Sequence, residues 1–231
     1  MAADTGAERG LSDTLQLADW RRRIADLYTE VRVLSATDVE SALELWRTTR
    51  ERLFREHPQS PVPVDKRSGF WARHYPADPS LRFEVAVAAD ETPPEPAARG
   101  LGALGGGLGI AMDLPVSAGG TMSFSRIGHV EVPLATGARR LGVYWMAGYA
   151  GGIFLPFRDA TSGSETYAAG RYLLDSAKSA DLGGDPERGT LVLDFNFAFQ
   201  PSCAFDPKWA CPLAPPENRL DIPIRAGERL A

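Results

Sequence analysis

The sequence predicts a mainly β fold with N-terminal helices, its strands arranged as an antiparallel β-barrel or β-sandwich. Three observations lead there. Apolar residues recur at helical spacing only before residue 57. Beyond it come short alternating or apolar runs with no helical pattern between them, the signature of an antiparallel sheet rather than of βαβ units. The 23 Gly and 18 Pro are concentrated after residue 57, where they supply the turns that frequent strands require.

Residues 1 to 12 are small, polar and charged and read as a disordered tail. Leu17, Trp20, Ile24 and Leu27 or Tyr28 then fall on one helical face, which predicts a helix from Leu15 to about Tyr28. Thr37-Asp38-Val39-Glu40 has the form of a capping box, with Thr37 accepting from the backbone at Glu40 while Glu40 reaches back. In the helix that follows, Val39, Ala42, Leu43, Trp46, Leu53 and Phe54 form an apolar stripe opposite Arg47, Arg50, Glu51 and Arg55. His57-Pro58 ends it. The helical segment 13–57 is expected to pack on the sheet of a single β-rich domain, 58–231.

Leu81 to Val87 alternates strictly, as a half-buried strand does. Residues 89 to 100, rich in Pro and acid, read as an exposed loop. Further strands are expected at Thr121 to Phe124, Ile127 to Val132, Arg140 to Trp145, Ile153 to Phe157 and Thr190 to Phe199, separated by turns at Gly119-Gly120, Thr136-Gly137, Gly148 to Gly152 and Gly183-Gly184.

Composition narrows the function classes. Hydrophobic residues at 44% and charged residues at 24% fit a globular chain and not a disordered one. A net charge of −5 gives no overall footprint for nucleic acid or an anionic membrane. The first residues lack the apolar core of a secretory signal, and no later run has the length of a membrane span. Two cysteines are too few for a disulfide scaffold. A cytoplasmic protein is expected, with a small molecule as partner and neither nucleic acid nor membrane. Oligomeric state is left open, homodimer included.

Several motifs fail their own tests. The run LGALGGGLG at 101 to 109 lacks the Gly-Lys-Ser/Thr ending of a phosphate loop and follows a polar loop instead of a buried strand. His57, His74 and His129 have no close-spaced partner that would make a zinc set. His129 shares a strand face with Glu131 and Ile127 and reads as structural, and His57 marks the helix exit. No cofactor or metal is implied. Cys203 and Cys211 flank an Asp206-Pro207 turn that can bring the sulfurs together. They are open to reading as buried structural thiols, as a staple worth about 2 to 3 kcal/mol, as a redox or catalytic pair, or as part of a metal site needing ligands from elsewhere.

The polar residues are more informative. Residues 157 to 172 gather Arg158, Asp159, Thr161, Ser164, Glu165, Thr166, Tyr167 and Arg171 in a segment that is neither a clean strand nor a clean helix. Asp194 and Asn196 interrupt an apolar strand, and strand geometry puts both on one side. If that side is buried they need partners, and Arg158 or Arg171 would serve. The group is then either a structural network or a pocket with a tuned carboxylate.

Three pieces, FRDATSGSETYAAGRYL, LDFNFAFQPSCAFDPKWACPLAPPENRL and the terminal IPIRAGE, resemble in order and spacing a family catalogued as domain of unknown function 1684. The likeness covers roughly residues 140 to 229, and LFREHPQSPV followed by FWARHYPADPSLRF extends it over most of the chain beyond the first helix. The resemblance implies that the Gly-x-Glu-Thr-Tyr-x-x-Gly-Arg stretch, Asp194, Asn196, Cys203, Cys211, Pro212, Glu217, Asn218 and Leu220 are motif positions. Phe199-Gln200 stands where that pattern has Tyr-Asn. No reaction comes with the resemblance.

The functional expectation is a small-molecule enzyme of the hydrolase or lyase class acting on an anionic metabolite. Glu165, Asp194 or Glu217 would supply acid/base chemistry, with Cys203 as an alternative nucleophile. Arg158 and Arg171 would anchor the anion, Asn196 and Asn218 would orient it or stabilise charge, and Tyr167 would line the same pocket. The competing expectation is a non-catalytic binding or interaction protein in which the same polar cluster is structural.

Overall fold

The computed structural model describes residues 6–90, 109–148 and 151–230. The chain divides into two compact units, Met1–Trp71 and Ala72–Ala231.

The first unit is two helices, α1 (Gly6–Leu34) and α2 (Val39–Glu56). Helix α1 includes residues 6 to 12, which read as tail. Helix α2 begins where expected, but its cap is Asp38 and not Thr37. The Asp38 carboxylate accepts from Ser41 N at 3.0 Å, bringing a full negative charge to the positive end of the helix dipole. Trp46 and Tyr28 are buried, and the indole donates to the Tyr28 hydroxyl at 3.1 Å. The change of pattern at residue 57 is not the boundary between units. Arg67 donates to the carbonyls of His57, Pro58, Ser60 and Val62, and Phe70 packs on Phe54, so 58 to 71 fold back onto the helix end.

The second unit is an eight-stranded antiparallel sheet curled into a half-barrel, with a separate two-stranded pair. The pair is β1 (Arg73–His74) with β10 (Glu228–Arg229). The sheet contains β2 (Arg82–Ala88), β3 (Ile110–Pro115), β4 (Thr121–Leu134), β5 (Gly137–Met146), β6 (Gly152–Phe157), β7 (Arg171–Asp175), β8 (Gly184–Asp185) and β9 (Thr190–Asp194). Its order is β7-β6-β5-β4-β2-β9-β8, with β3 also on β4. The two strands expected at 121 to 124 and 127 to 132 are one strand, β4, bulged between Arg126 and Gly128. Before the bulge β4 pairs with β3, and after it His129 and Val130 pair with β2. Gly128 is required there because a Cβ would run into the Ala88 carbonyl.

Strands β3 and β7 were not anticipated, since one lies against the glycine run and the other is hidden in a polar segment. The glycine run itself, up to residue 108, lies outside the described residues, as does most of the loop expected at 89 to 100. The core is formed by Val85, Val130, Val132, Leu141, Val143, Leu155, Phe157, Leu173, Leu193, Phe195 and Leu220 among others. Among the described residues no helix is long and apolar enough to cross a membrane.

Candidate functional site

The expected strand from Thr190 to Phe199 stops at Asp194. Its carboxylate accepts from the backbone N–H of Asn196 at 2.9 Å and caps a short 3-10 turn, Phe195–Phe197. Asp194 and Asn196 therefore do not share a strand face but bond each other, Asn196 Nδ2 to Asp194 Oδ1 at 2.8 Å. The arginine that pairs with Asp194 is Arg82, directly opposite in the β2–β9 ladder, at 3.1 Å, and not Arg158 or Arg171. The Asn196 amide also exchanges two hydrogen bonds with the backbone of Asp78, each 2.8 Å, as a peptide group would. Both amide hydrogens are thereby engaged.

Arg171 stands at the head of β7 with 1% of its surface exposed. Its guanidinium donates to Asp159 Oδ2 and to the carbonyls of Ile224, Ala226 and Glu228. Asp159 in turn accepts from Thr161 and from Ile224 N. This buried pair ties the C-terminal tail to the sheet. Burial pulls the Arg171 pKa down, opposed by the neighbouring Asp159 charge.

Asn218 sits where β5 and β6 part. Their ladder ends at Tyr144 opposite Phe154, and the next pairing would need an N–H from Pro156, which has none. The Asn218 amide fills the gap: Oδ1 accepts from Gly142 N at 2.7 Å, and Nδ2 donates to Gly142 O and Pro156 O at 2.9 and 2.7 Å. Glu217 beside it accepts from the buried Tyr144 hydroxyl at 2.7 Å and lies 3.5 Å from Arg126. Burial, then the bond to Glu217, raises the Tyr144 pKa. A Cβ at Gly142 would stand 2.6 Å from the Tyr144 hydroxyl oxygen. Gly142→Ala is therefore expected to lower the urea midpoint by an overpacking cost of about 1–3 kcal/mol, and Tyr144→Phe in that background to recover part of it.

Glu165 is elsewhere, chelated by Arg225 at 2.7 to 3.2 Å and bonded by the Tyr75 hydroxyl. The Arg225 hydrogen bonds hold its pKa below the usual carboxylate value. A carboxylate depressed on folding stabilises the native state above its unfolded pKa and loses that contribution as pH falls through the folded value. In urea titrations Glu165→Gln is thus expected to flatten part of the loss of stability seen below about pH 4.5, and an unchanged acid limb would show the pair to be idle.

Cys203 and Tyr167 do come together. Both cysteines are free and buried; Cys203 N donates to Cys211 Sγ at 3.4 Å, and Ser117 Oγ accepts from Cys211 N while donating to Trp209 O. The neighbouring Cys211 thiol first, with the Tyr167 hydroxyl, holds the Cys203 pKa below the usual thiol range. The same partnership raises Cys211.

Arg158 forms a parallel bridge with Arg219, through Arg158 N to Asn218 O at 2.9 Å and Leu220 N to Arg158 O at 2.7 Å. Directly opposed residues leave a bridge on the same side, so both arginine side chains start from one face of it. The Arg158 stem lies over Gly170, its Nε is buried without a hydrogen-bond partner, and neither arginine has a side-chain ion pair among the described residues. The nine nominated side chains are thus distributed over several separate partnerships and do not converge on one pocket. Arg219 and Ser117 were missed. Arg219 lay in the quoted Glu-Asn-Arg triplet, while nothing local marked Ser117, which reaches the cysteines only through the Val116–Pro212 bridge. Also missed was a half-exposed cluster on β4 and β5, where Asp90 accepts from Arg126 at 2.8 Å and Arg140 donates to His129 at 2.8 Å. His129, read as structural, has Arg140 and Asp90 as its neighbours there, the latter at 3.6 Å.

A family model described as a protein of unknown function (DUF1684) matches residues 72–229, nearly coincident with the second unit. No curated protein matches the chain. Among solved structures, the solution NMR structure of an uncharacterized protein of Haloarcula marismortui is similar, with 32% identity and a TM-score of 0.57. The similarity covers 85% of this chain and 96% of that one, and so extends beyond the matched family region.

Proposed function

The chain belongs to the DUF1684 family of unknown function, and on that premise we propose that it is a non-catalytic binding protein for a small anionic molecule, held by Arg158 and Arg219. The observation that carries this is the arginine pair itself. Opposed like charges cost stability, and among the described residues no acid forms an ion pair with either. A carboxylate or phosphate would do so by forked hydrogen bonds. The carboxylates nominated for acid/base work favour binding over hydrolysis or elimination. Asp194 is sealed at 0% exposure under its own cap, Glu165 is shifted away from the range of a general acid at neutral pH, and Glu217 is occupied as the acceptor of the Tyr144 hydroxyl. A cytoplasmic setting fits the two unbonded thiols.

Calorimetric titration with inorganic phosphate and with citrate tests the reading. Saturable binding is expected, weakened about tenfold or more by Arg158→Gln, a loss of at least about 1.4 kcal/mol. Arg219→Gln should weaken binding while leaving Tm unchanged or slightly raised, because it removes a repulsion worth a few tenths of a kcal/mol. Equal affinity in the double variant, or no saturable binding of either anion, would overturn it.

A further inference from the structure

We propose that Cys203 and Cys211 are a built-in oxidation site, a dithiol that a hydroperoxide converts to an intramolecular disulfide. The geometry is independent of the anion site. The two cysteines are brought side by side across the 203–211 loop, where Cys203 N donates to Cys211 Sγ at 3.4 Å. The loop is fixed at its far end: Ser117 N donates to Cys211 O at 2.9 Å, Cys211 N donates to Ser117 Oγ at 3.0 Å, and Leu213 N donates to Pro115 O at 2.9 Å. The sulfurs are thus held together by a scaffold that does not depend on a bond between them.

The two cysteines are not equivalent. The Cys211 thiol first, with the Tyr167 hydroxyl, favours the thiolate at Cys203. The same partnership, with burial, favours the protonated form at Cys211. This is the arrangement of an attacking sulfur beside a resolving one. Cys203 keeps 6% of its surface exposed and Tyr167 is half-buried, so the oxidant the site would admit is a small one.

The chemistry balances with hydrogen peroxide as oxidant. The Cys203 thiolate attacks one peroxide oxygen, the O–O bond breaks, and the departing hydroxide takes up the proton that Cys203 released, leaving a sulfenic acid and one water. The Cys211 sulfur then attacks the Cys203 sulfur, the S–O bond breaks, and the hydroxyl leaves as a second water with the Cys211 proton. The dithiol has lost two electrons and two protons, and the peroxide has been reduced to two waters.

The full-length protein is treated with hydrogen peroxide and followed by intact mass, by thiol titration after denaturation and by peptide mapping. A loss of two hydrogens, a peptide linking Cys203 to Cys211, and reversal by dithiothreitol are expected. Cys211→Ser should stop at a sulfenic acid on Cys203 that a dimedone probe captures. With the wild-type protein, the rate should rise with pH and level off below the ordinary thiol range near pH 8.5. Tyr167→Phe should move that inflection upward and slow the reaction about threefold at about pH 5, below the Cys203 pKa of about 6, where a pKa higher by about one costs about tenfold in thiolate and is partly offset by a more nucleophilic sulfur. Persistence of both thiols in millimolar peroxide, disulfides only between molecules, or a rate profile centred at the free-thiol value would each overturn the proposal.

Discussion

Replacing Arg171 with leucine is expected to cost the β unit about 3–5 kcal/mol, the usual consequence of leaving one member of a buried ion pair alone. For a chain of this size that corresponds to a fall in Tm of about 8–15 °C. The substitution strands the Asp159 carboxylate, itself 4% exposed, and removes the donor from three tail carbonyls at once. Arg171→Lys should also fall well short of wild type, because one ammonium cannot present the planar fork that reaches Asp159 and the three carbonyls together. Adding Asp159→Leu to Arg171→Leu should restore part of the loss, since the pair can then be replaced as an apolar unit. Differential scanning calorimetry decides it. A single variant that melts within about 2 °C of wild type, a change of under about 1 kcal/mol, would mean that the tail is held by other contacts.

Asn218→Leu carries the second large effect. It leaves Gly142 N–H, Gly142 O and Pro156 O without partners in a place closed to water. At about 1–3 kcal/mol for each unsatisfied group, discounted for relaxation, a total of about 3–5 kcal/mol is expected. Asn218→Asp is the sharper probe. It keeps shape and the acceptor for Gly142 N–H, yet sets a carboxylate against two carbonyl oxygens. It should be nearly as damaging at neutral pH and improve as the acid is protonated. Hydrogen exchange at Gly142 gives the local readout, and protection equal to wild type in Asn218→Leu would refute the role assigned to the amide.

Both residues show what local reading does and does not reach. Asn218 was singled out as a position of the family-like motif and Arg171 as part of the polar segment 157 to 172, and that much was legible. Their work was not legible. Asn218 stands in for the N–H that Pro156 lacks, 62 residues away in the chain. Arg171 binds carbonyls in the final turn of the tail, 53 to 57 residues away. Asp194 failed differently. Strand alternation was extended five residues too far, to Phe199 instead of Asp194, because a carboxylate that caps the next turn ends a strand as effectively as it starts a helix.

The sequence by itself determined the periodicities: helices before residue 57, alternating strands after it, and hence a mainly β protein with helical N-terminus. Those are properties of neighbouring residues, set by which side chains must leave water on one face. Only the tertiary structure decided which polar groups meet. It separated Glu165, Asp194 and Glu217 into different partnerships, set Cys203 against Cys211 and Ser117 against the Cys211 backbone, and left Arg158 beside Arg219 with no acid paired to either among the described residues. Such pairings depend on strand order and on where β5 and β6 part. Hydrophobic patterning does not encode these, because many registers bury the same apolar faces and only the hydrogen-bonding of the remaining polar groups distinguishes them.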